Sequence, residues 1–165
     1  MNVIHVAKNQ LPVIRDLAYT IWPSAYGSIL SKAQMNYMLD NFYSIPALES
    51  LLLEQNQIFL LLQEEEKYLG FCSYELNYNN TGGTKLHKLY IRQDIQGKGA
   101  GKFLLQCVED ITLQNKGKII LLNVNRYNPA LHFYKKMGYT IQEMVDIEIG
   151  NGYLMEDYIM IKSLI

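Results

Sequence analysis

The sequence predicts a mixed α/β fold in which a central, mainly antiparallel sheet of about seven strands is flanked by helices. Three observations carry this reading. Seven short segments are apolar or alternate apolar with polar residues: 2–6, 57–63, 68–76, 85–91, 118–124, 139–149 and 153–161. Two pairs of these segments are joined by short turns, at Glu64-Glu65-Glu66-Lys67 and at Gly150-Asn151-Gly152, which makes them hairpins. Residues 85–137 then run strand, helix, strand, helix, and two successive βα units of this kind require a mixed sheet.

Taken in order, the first strand is followed by Asn9, placed to cap a helix whose Ile14, Leu17, Ala18, Ile21 and Trp22 recur at helical spacing; Pro23 marks its end. Residues 22–27 read as an aromatic turn. Ser31 to Gln34 has capping-box spacing, and Met35, Met38, Leu39 and Phe42 form one face of a second helix. Ser44-Ile45-Pro46 restarts helix, with Leu48, Leu51 and Leu52 on its apolar side. Asn79-Asn80-Thr81-Gly82-Gly83 is loop punctuation. Leu104, Cys107, Val108 and Ile111 define the buried face of a later helix, which stops near Lys116 with Gly117 suited to the left-handed position. A short helix over 130–137 ends at Gly138. No repeat or linker divides the chain, so residues 1–165 are expected to form a single domain.

Composition excludes several functions. A net charge of -1 lacks the basic excess of a protein that tracks phosphates, so no nucleic acid partner is expected. The longest apolar runs, 58–62 and 119–122, are far too short to span a bilayer, and Met-Asn-Val-Ile-His-Val lacks the charged start and long apolar core expected of a signal peptide. A cytoplasmic location away from the membrane is the default. Cys72 and Cys107 show no metal-ligand spacing; they read as buried thiols, and no metal is expected.

One stretch needs a functional explanation. Gly97, Gly99 and Gly101 alternate where a strand gives way to a helix, flanked by Lys98 and Lys102. Glycine in a helix interior costs about 1 kcal/mol relative to alanine, so crowding it at a helix start suggests close approach to the backbone. A helix start offers unpaired N–H groups and a positive dipole end, which suit phosphate. A ligand-free glycine connection is the plainer alternative. The spacing fits neither the Walker loop, which needs four residues before Gly-Lys-Ser/Thr, nor the Gly-x-Gly-x-x-Gly dinucleotide fingerprint.

The pattern does match Gln/Arg-x-x-Gly-x-Gly/Ala, through Gln96, Gly99 and Gly101, and so resembles the acyl-CoA loop of the GCN5-related N-acetyltransferase (GNAT) superfamily. Asn128-Pro-Ala-Leu-His-Phe-Tyr134-Lys-Lys-Met-Gly-Tyr139 is similar to that superfamily's later motif, and the two occur in the expected order. The resemblance spans about residues 57–162 and implies the acyl-CoA N-acyltransferase fold, with acetyl-CoA as donor. By it, Gln96, Gly97, Lys98, Gly99, Ala100, Gly101 and Lys102 hold the pyrophosphate, and backbone groups of Leu89, Tyr90 and Ile91 pair with the pantetheine arm. Asn128 or Asn125 contacts CoA, both being equally readable as turn formers, and Tyr134 protonates the departing thiolate.

Acetylating a primary amine needs a base, because an alkylamine of pKa about 10 is mostly protonated at neutral pH. His87, grouped by strand alternation with Lys85, Leu89 and Ile91, is the first candidate; Glu75 and water are the others. Trp22 and Tyr26 are candidate substrate contacts, with core packing the plainer role for Trp22. The acceptor reads as a small-molecule or peptide amine. A polyamine held by Asp146, Glu148, Glu156 or Asp157 is one option, and a homodimer is compatible with the sequence. Outside the enzyme class, a noncatalytic acyl-CoA-binding module is the competing expectation.

Overall fold

Apolar alternation and turn chemistry produce seven strands: β1 (Asn2–His5), β2 (Ile58–Glu64), β3 (Lys67–Glu75), β4 (Thr84–Ile91), β5 (Ile119–Asn125), β6 (Thr140–Gly150) and β7 (Tyr153–Ser163). In a computed structural model describing residues 1–165, they form one sheet in the order β1-β2-β3-β4-β5-β7-β6. Every pairing is antiparallel except that between β4 and β5. The five α-helices are α1 (Leu11–Tyr26), α2 (Lys32–Phe42), α3 (Ile45–Leu53), α4 (Ala100–Gln114) and α5 (Ala130–Lys136).

The helices cover the sheet on both faces. On one face Leu60, Leu62, Leu86 and Leu122 pack with Leu104 and Val108 of α4 and with Tyr134 of α5. On the other, Phe59, Leu61 and Phe71 pack with Ile14 and Trp22 of α1, Met38 of α2 and Leu48 of α3. Successive residues of β2 thus enter opposite cores, which explains its unbroken apolar run.

Ser31 caps α2, its hydroxyl accepting from the Gln34 amide, but the reciprocal half of the expected capping box is not made because Gln34 Nε2 donates to the Leu154 carbonyl. Helix restarts at Ser44 as expected, with the Ser44 hydroxyl accepting from the Ala47 amide. Other local expectations are corrected. Asn9 does not cap α1; the helix starts at Leu11 after a short 3-10 turn. Pro23 does not end it either. Pro23 removes one N–H from the ladder, yet the Gly27 amide still reaches the Pro23 carbonyl, and burial of Ile21 and Trp22 holds the last turn together. Residues 22–26, expected as a turn, are therefore helical.

At the end of α4 the left-handed residue is Lys116 (φ 64°) rather than Gly117. A Cβ on Gly117 would stand 2.8 Å from Thr112 Cγ2, so glycine there serves close packing. The buried stripe of α4 is also turned. Leu105 and Thr112 are fully buried, whereas Cys107 and Ile111 are only half-buried, because Thr112 is drawn inward by a hydrogen bond to Thr84.

The two features that shape the site are irregularities of β4. Its parallel register with β5 holds only for Thr84↔Ile120, Lys85↔Leu121 and Leu86↔Leu122, although both strands run on. Its register with β3 slips at His87: Lys88 faces Ser73 and Leu86 faces Tyr74, so His87 is the extra residue of a β-bulge. The bulge breaks strict alternation. Leu86 and Ile91 point to the α4 core, whereas Tyr90 packs toward α1 and Lys85 points to Asn123 away from α4. Of the expected common face of Lys85, His87, Leu89 and Ile91, Leu89 and Ile91 share the α4 side, but Lys85 lies on the other.

Candidate active site

Because β4 and β5 part after Leu86, a cleft of about 520 Å³ opens between them. One mouth lies at the start of α4, the other under the last turn of α1.

At the first mouth, Gly97 (φ 78°) and Gly99 (φ 82°) take left-handed conformations that side-chain-bearing residues rarely adopt. Gly99 is the N-cap of α4 and supplies no side chain to the first turn. The first helical hydrogen bond there runs from the Phe103 amide to the Gly99 carbonyl, leaving the N–H groups of Ala100, Gly101 and Lys102 free of helical partners. Gln96 Nε2 donates to the Ile91 carbonyl at 3.2 Å and ties the loop to the end of β4. Gln96, Gly97, Gly99, Gly101 and Lys102 line the cleft. Lys98 does not; its ammonium turns back to the Asp94 carbonyl. The cradle of free amides, dipole and Lys102 fits a pyrophosphate.

Along the cleft, Leu89, Tyr90 and Ile91 form one wall, and their β5-facing backbone is released from pairing by the divergence. Close approach of β3 needs Gly70, since a Cβ there would lie 2.3 Å from the Tyr90 carbonyl oxygen. The opposite wall is Leu122, Asn123 and Val124, continued by Asn128, Pro129, Ala130, Phe133 and Tyr134. Asn128 Oδ1 accepts from the Ala130 amide and shapes the entry to α5, while Asn125 Oδ1 does the same for Tyr127. Of the two asparagines, only Asn128 lines the cleft.

Tyr134 is 7% exposed, and its hydroxyl makes no hydrogen bond within the chain yet is not sealed off, so it opens into the cleft. Burial raises its pKa well above the ordinary phenol value, which keeps the proton in place.

At the second mouth the α1 turn sets Ser24, Ala25 and Tyr26 over β4. Tyr26 and Tyr90 share a hydroxyl hydrogen bond of 2.9 Å. Trp22 is 3% exposed and does not line the cleft; its ring packs 4.6 Å from that of Tyr26 and 5.9 Å from that of Tyr90, so it supports these tyrosines from below.

The bulge residue His87 lines the cleft, and its Nε2 lies 2.9 Å from Glu75 Oε2. Burial pushes the imidazole's pKa below its ordinary value, offset in part by Glu75. A neutral imidazole beside a carboxylate must carry its hydrogen on Nε2, because the carboxylate can only accept. That leaves Nδ1 as the ring's lone-pair nitrogen. Two residues read separately from the sequence are thus one hydrogen-bonded pair.

Cleft residues without a sequence forecast include Lys88, Asn123 and Phe133. Lysine and asparagine inside strands were the available signals, since neither suits a half-buried pleat. The carboxylates considered for a second amine do not line the cleft. Asp146 and Glu156 pair with Arg126, Glu148 is exposed, and Asp157 sits behind Asn123.

A family model described as the acetyltransferase (GNAT) family matches residues 14–139. Among solved structures, a PaiA N-acetyltransferase from Thermoplasma acidophilum in complex with coenzyme A is 24% identical, covering 99% of both chains with a TM-score of 0.80. A GCN5-related N-acetyltransferase from Rhodopseudomonas palustris is 18% identical, covering 99% of this chain and 95% of that one, at 0.84. The ribosomal-protein-S18-alanine N-acetyltransferase from Escherichia coli is 15% identical, covering 99% and 93%, at 0.73. These likenesses bear out the mixed, mainly antiparallel sheet and the acyl-CoA N-acyltransferase fold. No helix is long and apolar enough to cross a membrane.

Proposed function

The chain belongs to the acetyltransferase (GNAT) family, and we propose that it transfers an acetyl group from acetyl-CoA directly to a primary amine of a small molecule or peptide. The observation that carries this reading is continuity: one cleft joins the free amides of α4, the released edge of β4, the Tyr134 hydroxyl and the His87–Glu75 pair. Acetyl-CoA supplies the activated acyl group as a thioester. Its pyrophosphate suits the N–H groups of Ala100, Gly101 and Lys102, which the conformations of Gly97 and Gly99 present together. Its pantetheine arm suits the unpaired backbone of Leu89, Tyr90 and Ile91. The Asn128 amide nitrogen, spared by the oxygen's turn bond, is a further donor.

His87 Nδ1 takes the proton that the incoming ammonium must lose. Glu75, bonded to Nε2, fixes the ring's tautomer and stabilises the imidazolium once formed. Tyr134 Oη delivers a proton where the thiolate departs. Burial holds its pKa above that of a thiol, so the hydrogen is offered to the sulfur while negative charge builds on it in the transition state rather than given up to a free thiolate. Tyr26, resting on Trp22, borders the acceptor's entry.

The placement of the thiols supports direct transfer. Cys72 is fully buried with its pKa pushed up by burial, and neither cysteine lines the cleft. The test is an acceptor screen with thiol-release detection across polyamines, amino acids, aminoglycosides and peptides. Turnover on at least one amine is expected; calorimetric CoA binding with no thiol release on any of them would instead leave a noncatalytic module.

A further inference from the structure

The acceptor mouth has an unexplained charge. Among the residues that line the cleft there is no aspartate or glutamate, and the cationic side chains are Lys88 and Lys102. Lys102 belongs to the start of α4. Lys88 stands at the other end, immediately after the β4 bulge, on a strand segment that turns toward α1.

Lys88 Nζ lies 5.3 Å from the centroid of the Tyr43 ring, which steadies the ammonium from one side, and no carboxylate pairs with it. The nearby carboxylates do not reach it: Glu75 bonds to His87, Asp157 accepts from the Asn123 amide through Oδ2 and keeps Oδ1 buried without a partner, and neither residue lines the cleft. The other polar groups at this mouth, Tyr26, Tyr90 and His87, are uncharged. Loss of hydration depresses the Lys88 pKa to about 8, with no neighbouring anion to restore it. A half-buried cation held at the rim of a cleft without a counter-charge is poorly satisfied until an anion reaches it.

Resting on the acetyltransferase reading above, we infer that the acceptor carries a carboxylate or comparable anionic group beside its reactive amine, and that Lys88 receives that group. The bulge sets His87 and Lys88 next to one another on β4, so the two ends of an amino acid or similar zwitterion meet a base and a cation side by side. A polyamine would instead bring a second positive charge against Lys88 with no carboxylate in the cleft to receive it.

Matched acceptor pairs differing only in the carboxylate test this: lysine against cadaverine, ornithine against putrescine, and phenylalanine against phenethylamine. Wild-type kcat/KM should favour the carboxylate member by about tenfold or more. Lys88→Met should raise KM for the carboxylate members and erase the preference, and Lys88→Glu should reverse it toward the diamines. Thermal melting checks that both variants fold. Preference of the wild type for diamines, or an undiminished carboxylate preference in folded Lys88→Met, would overturn the Lys88 assignment while leaving the acetyltransferase reading intact. Absence of thiol release with every amine, despite CoA binding, would overturn both.

Discussion

Replacing Tyr134 by phenylalanine isolates one proton. The ring sits in the core beside Phe133 and Tyr139, with centroids 5.2 and 5.8 Å away, and phenylalanine keeps all of that packing. The hydroxyl bonds to nothing in the chain, so its removal strands no partner. Stability should change by about 1 kcal/mol or less, which for a chain of this size moves the melting midpoint by roughly 2–4 °C. Catalysis should respond differently. A positioned general acid contributes about 10²–10⁴-fold, so kcat at saturating acetyl-CoA should fall by about a hundredfold, equivalent to about 2.7 kcal/mol of barrier. The assay is thiol release under saturating donor, paired with calorimetric CoA binding, which should be little changed. Wild-type turnover in a folded Tyr134→Phe would refute the acid role.

Three further outcomes follow from the geometry. Since burial lowers the His87 pKa, the acid limb of the kcat/KM profile should fall below pH 6.5, and Glu75→Gln should cut the rate by about tenfold or more by removing the imidazolium's partner; a limb at or above 6.5, or an unaffected Glu75→Gln, would remove the pair from the chemistry. Gly99→Val forces a branched residue at φ 82°, straining the loop by about 1–3 kcal/mol and turning the amides away, so CoA affinity measured by calorimetry should drop at least tenfold in a protein that still melts cooperatively. For pH and stability, Lys85 and Lys88 have folded pKa values of about 8 against an unfolded value near 10.4, so the unfolded chain binds more protons between them and stability rises with pH across that window. Above about pH 10 the buried tyrosines, with raised pKa values, keep protons that the unfolded chain loses, and stability falls. Denaturant midpoints from pH 7 to 11 should therefore peak near 10, and a monotonic fall from pH 7 would contradict the burial of both lysines.

Sequence by itself determined whatever depends on near neighbours along the chain. Strand segments, the Ser31 and Ser44 caps and the hairpin turn at Asn151-Gly152, with φ of 54° and 76°, are local conformational choices, and residue type reveals them. The same holds for the cradle at Gly97 and Gly99, whose left-handed backbone is written in the residues that tolerate it. Local rules failed where burial outweighed them: Pro23 lies inside a helix because Ile21 and Trp22 anchor it to the sheet, and that extra turn is what brings Tyr26 over the cleft. Only the tertiary structure decided the rest. The slip at His87 is a property of two strands together, and no alternation within 85–91 could show that it would invert the faces beyond it. Likewise the parting of β4 from β5 after Leu86, the joining of Glu75 to His87 and the isolation of Lys88 from every carboxylate depend on which strands become neighbours. Pairing across the sheet is set by the summed burial of both cores, a quantity spread over the whole chain and visible in no single stretch of it.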